Sequence, residues 1–459
     1  MSFQTLEIAR TALAASRVAL EVASQNVANA NTPGYVRQRV VLAPMANRDT
    51  SGSGMVGGGV DVITVQRLRD QCLEAQINNQ EGRLGEEKAR AGSLTRVQTY
   101  FSDLSETGIS AALGEFFNSL QRVQTTPESV TAREEVLFAA DSLCQQMHTT
   151  TAKLQEERSI LESDLQLQVT RANQVLQQVA ELNGTIATLA DSPQANDLRV
   201  MREEAIRELG GICGAGGLDM ADGSQDVLLG GIRLVQGSQW TPLSLVDAPA
   251  DPTRHVVEVA GIVQPDGLAG TIAGDMTARD TNLAGWQGKL DELAATIADA
   301  VNAQHRAGYD LDNAAGGDLL EYDAGSAART LRVSAELVAE PRKLAAAGTS
   351  GGAPGDGTNA AALAGLRAEK LLGGATQTLE EFQAGLLYDV GVQTEQAQNA
   401  LAARKGFVVS LDAQYANQAG VSLDEEAVDV MKYQQAYTAA LKLIQMVDEM
   451  TEDVLGLVR

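Results

Sequence analysis

The chain has 459 residues, a length that suits roughly three domains, and it sets 35 Lys and Arg against 60 Asp and Glu, a formal net charge of −25. Such an acidic surface cannot hold nucleic-acid phosphates non-specifically, which excludes DNA and RNA as partners. Aromatic residues are only 4% while hydrophobic residues reach 44% and are rich in Ala and Leu, a balance that favours long, closely packed helices over a compact β protein.

At the N-terminus, Leu6, Ala9, Leu13, Ser16, Leu20, Ala23 and Val27 recur at alternating intervals of three and four. This spacing predicts a helix with one narrow apolar stripe, carried chiefly by Leu6, Leu13, Leu20 and Val27. Met1-Ser2-Phe3-Gln4 has no basic segment, and Glu7, Arg10 and Arg17 interrupt any apolar run, so no cleaved signal peptide is expected. The helix stops near Asn26 to Tyr35. Asn29 and Asn31 tolerate a cap conformation, Pro33 forces Thr32 out of the helical region, and Gly34 permits a sharp turn. Beyond Tyr35, Val36 to Leu42 is β-prone, and the glycine-rich Ser51 to Gly59 reads as a flexible or β-turn linker that is expected to act as a hinge between the terminal layer and the body. Gly52-Ser53-Gly54-Met55-Val56-Gly57 satisfies a GxGxxG string, but the β-prone Val60 to Val65 follows where a nucleotide site requires a helix.

Helical patterning runs from Gln66 to Leu104 and from Ile109 to Val123. The strongest periodicity follows: Leu154, Leu161, Val175, Leu182 and Leu189 lie at multiples of seven, with Leu165, Ala172, Val179 and Ile186 beside them. This predicts a rod-like helix beginning after Pro127 and stopped by Asp191-Ser192-Pro193. Between Gly210 and Thr271, short apolar runs separated by Gly, Asp and Pro predict a small inserted β domain. Helical periods return from Leu283 to Val301 and from Leu379 to Tyr415, with a Gly/Ala/Ser-rich loop from Gly348 to Thr358.

The C-terminal segment repeats the device of the N-terminus with Leu423, Ala427, Val430, Gln434, Tyr437, Leu441, Ile444, Thr451, Leu455 and Val458. The two ends differ in sign. Residues 1–48 carry five arginines against two glutamates, whereas residues 421–459 carry three basic residues against eight acidic ones. Complementary ends attract, and a two-helix pair that leaves much of each apolar face in water is expected to order fully only when copies assemble. The fold class expected is mainly α with a small inserted β domain, a paired terminal coiled coil and a long-helix bundle body. The boundaries are residues 1–50 plus 420–459 for the terminal coiled coil, 51–209 plus 272–419 for the body, and 210–271 for the β domain.

Catalytic chemistry has little support in the sequence. His148, His255 and His305 are scattered and join no HExxH or nucleophile motif. Asp310 to Asp318 begins like a calcium loop but places Ala314 where an oxygen ligand belongs and Ala315 where glycine belongs. Glu425 and Glu426 lie at a helix start, where they favour the helix dipole. Cys72, Cys144 and Cys213 have no metal-like spacing and read as reduced, partly buried thiols. No catalytic, cofactor-binding or metal residues are expected, and no apolar run is long enough to insert in a membrane.

Asn26-Val27-Ala28-Asn29-Ala30-Asn31-Thr32-Pro33-Gly34-Tyr35 resembles the N-terminal signature of the flagellar axial proteins, the family of bacterial rod, hook and hook-associated proteins. Arg37 to Val40, Val65 to Asp70, Asn302 to Leu311, Gly420 to Ala427, Tyr433 to Tyr437 and Ile444 to Met450 resemble its hook-associated protein 1 branch in particular. The resemblance implies a structural protein of the hook–filament junction, exported through the flagellar type III channel and located outside the cell. It implies a self-assembled ring between the hook protein and hook-associated protein 3, a cytoplasmic export chaperone bound on the C-terminal helix, and no cofactor. The residues it marks for assembly are the turn Asn26, Asn29, Thr32, Pro33, Gly34 and Tyr35. On the C-terminal helix they are Leu423, Val430, Tyr437, Leu441, Ile444 and Leu455. Alternatives are a hook or distal rod protein, or a secreted adhesin or enzyme whose activity lies in residues 210–271.

Overall fold

In the computed structural model, residues 2–32, 35–45, 57–101, 108–189, 193–220, 222–249 and 251–457 are described. Helix α1 (Ser2–Asn29) leads into an antiparallel ribbon of β1 (Gln38–Pro44) and β2 (Val60–Arg67). The body starts with α2 (Gln71–Phe101), α3 (Ile109–Thr125), α4 (Val130–Leu189) and α5 (Pro193–Cys213).

Seven short strands follow in two antiparallel sheets: β3 (Gly216–Asp219), β4 (Gln225–Leu229), β5 (Ile232–Gln236) and β6 (Gln239–Trp240), then β7 (Leu243–Ala248), β8 (Asp251–Val259) and β9 (Ile262–Val263). All lie inside the 210–271 window. Helix α6 (Gly270–Thr277) runs through one π-helical turn, Ala278–Leu283, into α7 (Ala284–Arg306). A compact irregular stretch holds the strand pair β10 (Leu320–Glu321) and β11 (Arg332–Val333), with α8 (Ala327–Thr330), α9 (Ala335–Ala339) and α10 (Thr358–Gly365). Two long helices end the chain, α11 (Leu379–Ala419) and α12 (Leu423–Leu457).

The 60-residue α4, about 90 Å long at 1.5 Å per residue, organises two cores. Its first half, through Leu161, packs with α2, α3, α7, α10 and the start of α11 around the fully buried Trp286, Phe116 and Phe117. Its second half, from Leu165 to Ala180, packs with α5, α6 and both inner sheet faces through Val227, Leu229, Leu234, Val235, Val257 and Val259. The rod predicted from the heptads is therefore not free-standing. Leu154, Leu161, Val175, Leu165, Ala172, Val179 and Ile186 are buried as the spacing predicts, whereas Leu182 is half-buried and Leu189 exposed, because Asn183 takes the inward position in the last turns. There Asn183 holds the sheet, donating to the Gln225 and Gly237 carbonyls.

Two glycines set how closely the body helices approach. A Cβ on Gly274 would stand 2.3 Å from the Glu86 carbonyl of α2, and one on Gly85 would stand 2.2 Å from the Gly211 carbonyl of α5. The irregular stretch is tied down by the Asn302 to Leu311 motif. Asn302 accepts from the amides of Leu319 and Leu320 and donates to the Leu320 carbonyl. His305 bridges the Gly317 carbonyl and the Ala345 amide, and Asp310 accepts from the Asp312 and Ala314 amides. The loop considered for calcium thus uses its first carboxylate to close its own turn.

The glycine-rich Ser51 to Gly59 segment lies outside the described residues up to Val56. What flanks it is a strand pair: Met45 donates to Gly59 and Gly58 to Met45. Strand β2 runs along α1, where the Val60 amide donates to the Thr11 hydroxyl. The hinge expected there falls mostly on residues outside the described ones. The expected boundary at residue 50 falls between the two paired strands of the ribbon.

Candidate assembly site at the paired termini

Helices α1 and α12 pack against each other with the end of α1 beside the start of α12, so the pair runs antiparallel, and the ribbon lies along α1. The buried face of α1 is made of Ala9, Ala15, Ala19, Val22, Ala23 and Asn26. Leu6, Leu13 and Leu20 sit half-buried about 100° round the helix from that face, and Val27 is 41% exposed. Of the expected stripe, Ala9 and Ala23 are buried while its leucines lie on the flank, so the seam is carried by alanine. Small side chains let α1 approach α12 and the ribbon closely, which pushes the leucines to the flank.

On α12 the inward positions are Glu426, Val430, Tyr433, Tyr437, Ala440, Ile444 and Val447, again spaced four and three. Val430, Tyr437 and Ile444 are where the sequence places them. Leu441 stands on the edge of the seam, 40% exposed and one position beyond Ala440, whereas Leu423 continues the inward row but is 52% exposed at the first residue of α12. Leu455 lies on the last described turns of α12. Away from the seam, Val428, Met431, Leu443, Met446 and Met450 form a second apolar face that none of the described residues covers. Both ends are already helical and paired in the single chain, because the ribbon supplies the third partner that a two-helix pair lacks.

The turn motif and the C-terminal helix start meet in one buried polar junction. Asn26, 1% exposed, uses its whole amide. Its Nδ2 donates to the Gln38 carbonyl at 2.9 Å and to Glu426 Oε2 at 3.0 Å, and its Oδ1 accepts from the Gln38 amide at 3.0 Å and the Tyr35 hydroxyl at 2.9 Å. Burial, with the Asp197 and Glu426 carboxylates nearby, pushes the Tyr35 hydroxyl up to about 12, so it remains a donor. Asn29 donates to the Gln25 carbonyl and accepts from the Thr32 hydroxyl, fixing the start of the turn. Pro33 and Gly34 lie outside the described residues.

Arg37 carries the junction to the body. Its amide donates to the Ala419 carbonyl that ends α11, and its carbonyl accepts from the Leu68 amide, both at 2.9 Å. Its guanidinium pairs with Glu425 and Glu426, with Asp429 at 3.8 Å. Although burial pulls the guanidinium down, Glu425 and Glu426 hold it above its ordinary value. Gln38 Oε1 accepts from Asn196 of α5, and Arg67 at the end of β2 pairs with Glu203 of the same helix. A further set of Arg69, Glu74, Glu203 and Tyr415 joins the segment between β2 and α2 to α2, α5 and α11, and lines a cavity of about 340 Å³. This arrangement can position helices and resist shear. Arg37 and Glu426 stand in motifs that the resemblance marks, but no spacing signal gives their contact across nearly 400 residues of chain.

Among the described residues, no group of three or more His, Cys, Asp or Glu is placed to hold a metal ion. Cys144 and Cys213 are buried, which pushes their thiols up to about 12 and about 11, and Cys72 is exposed. His255 pairs with Glu162 of α4, and His148 lies half-buried on α4, away from the terminal junction. No helix among the described residues is long and apolar enough to cross a membrane.

Three family models match in chain order. Residues 6–35 match the flagella basal body rod protein model, residues 94–320 the flagellar hook-associated protein FlgK helical domain, and residues 412–457 the C-terminal model of flagellar basal body rod FlgEFG proteins. The outer two matches contain the two sides of the Asn26–Glu426 junction, and the middle one contains the whole of α4. The chain belongs to the flagellar hook-associated protein FlgK family.

Flagellar hook-associated protein 1 of Salmonella typhimurium is 30% identical over 348 residues, covering 72% of this chain and 63% of that protein. The chain therefore spans less than two thirds of the Salmonella relative it matches. Flagellar hook-associated protein 1 of Bacillus subtilis is 26% identical over 99% of this chain and 98% of its own length. The solved structure of the flagellar hook junction protein FlgK from Burkholderia pseudomallei shares the fold, with a TM-score of 0.66 at 18% identity over 76% of this chain and 100% of that one.

Proposed function

We propose that this FlgK family member is a structural axial protein of the bacterial flagellum, forming the hook–filament junction, adapting the flexible hook to the filament and required for filament assembly. The observation that carries this reading is the terminal pair. Its two helices are locked together by Asn26, Arg37 and Glu426, yet α12 keeps a free apolar face of Val428, Met431, Leu443, Met446 and Met450. A face of that kind, on an acidic chain with little catalytic constellation, suits burial between copies. The protein assembles as a ring of identical subunits between hook protein and hook-associated protein 3. An export chaperone covers the free face of α12 in the cytoplasm, and the chain leaves the cell through the flagellar export channel. It is not an enzyme and binds no cofactor. The β1–β2 ribbon belongs with the termini, and the sheets of residues 210–271 are carried on α4 as an outer domain.

Deleting the gene tests the reading. Cells should carry hooks without filaments and lose flagellin to the medium, seen by electron microscopy and immunoblotting. Absent hooks would instead assign the chain to the rod or hook.

A further inference from the structure

The seam between α1 and α12 is nearly uniform along its length. On α1 it is built from Ala9, Ala15, Ala19, Val22 and Ala23, and on α12 Ala440 and Val447 are buried with Tyr433, Tyr437 and Ile444 half-buried. A surface of small side chains with a four-and-three repeat looks much the same after sliding by seven residues, so apolar packing alone selects its axial alignment weakly. Among the described residues of the two helices, only Asn26 and Glu426 bury polar side chains, and they meet at 3.0 Å.

We propose that the Asn26–Glu426 pair is the register-determining element of the terminal helices: it fixes the axial alignment of α1 on α12, while the apolar seam supplies attraction without alignment.

Any slipped register would leave Asn26 buried with a donor unmatched and Glu426 buried away from the amide that meets it. A buried polar group without its partner is strongly disfavoured, and a buried charge more so. The lock is also referenced to the rest of the chain. Asn26 is held by the backbone of Gln38 on both sides, and Glu426 by the Arg37 guanidinium, whose own amide is bonded to the end of α11. The aligned state is therefore set relative to the body as well as between the helices. That alignment determines the height at which the free face of α12 is presented.

Spin-label distance measurements on the dilute, purified full-length chain test this, and because no flagellar partner is present, failure here leaves the junction reading untouched. Labels are placed at exposed Ser24 and Lys442 after Cys72→Ser, with the buried Cys144 and Cys213 left in place. The parent chain should give one narrow distance. Asn26→Leu with Glu426→Leu should keep its helix content by circular dichroism and add a second population displaced by about 10 Å, one heptad along the axis. Glu426→Gln, which keeps the amide–oxygen bond, should retain the single distance. If the double variant loses terminal helix, Asn26→Ala is measured in its place with the same expected second population. A broad distribution in the parent chain, or a single unshifted distance in the variant lacking the pair, would overturn the proposal.

Discussion

Asp275 shows how one side chain of the body answers to its surroundings. It lies 5% exposed on α6, accepting a 2.6 Å bond from Gln168 of α4. Burial, reinforced by Asp164, pushes its carboxyl up to about 6 against the opposing Gln168 bond. A carboxyl raised above its unfolded value binds its proton more tightly when folded. Its contribution is most favourable at low pH and is lost as pH rises from about 4 to about 6. Above pH 7 the buried carboxylate therefore opposes folding, and Asp275→Asn should raise stability there by on the order of 1–3 kcal/mol. The gain should vanish near pH 4, which thermal unfolding of both chains across that range measures. Asn26 is the opposite case, a buried polar group whose bonds are all met, and nothing in its sequence neighbourhood predicts that its partner lies 400 residues away.

At the scale of elements, helix contacts are governed by clearance as much as by hydrophobicity. Gly274 brings α6 onto α2 with no room for a side chain, and a Cβ there would also stand 2.9 Å from that of Ala89. Gly274→Ala should cost about 1–3 kcal/mol by forcing the two helices apart. Gly288→Ala, in α7 with nothing within 4 Å of the added Cβ, should instead stabilise by up to about 1 kcal/mol. Urea unfolding of the two variants gives the comparison. The heptads of α4 were legible because that helix is long and one-sided, so period alone locates the stripe. The terminal stripes were legible only to within a position. Alanines and leucines alternate on α1 at the same spacing, and which set faces inward depends on how near the ribbon lets α12 come. The ribbon itself was missed as a unit, since its strands end at Pro44 and begin again at Val60, a sequence separation wider than any hairpin signal recognises.

For the whole molecule, one chain presents a body with two continuous cores and a terminal pair whose outward face the described residues leave uncovered. Met431→Ser, Met446→Ser and Met450→Ser together should leave thermal unfolding of the isolated chain within about 0.5 kcal/mol, because these positions are exposed in it. The same chain should fail to restore swimming to a deletion strain, while being exported and soluble. Motility in soft agar and export assays on one strain separate the two effects. Normal swimming would show that the face is not buried in the assembly.

The sequence by itself determined the class of the molecule: acidic, helix-dominated, with matched amphipathic ends, a rod-like central helix and a β insert between Gly210 and Thr271. Those features rest on composition and on periods of two, three and a half and seven residues, which are local and survive without knowledge of contacts. Only the tertiary structure decided that β1 and β2 pair into one ribbon along α1, that the seam is alanine, and that Asn26, Arg37 and Glu426 form one junction. Each depends on which distant segments approach closely enough to exclude a larger side chain or to complete a buried hydrogen bond, and that proximity is a property of the packed chain.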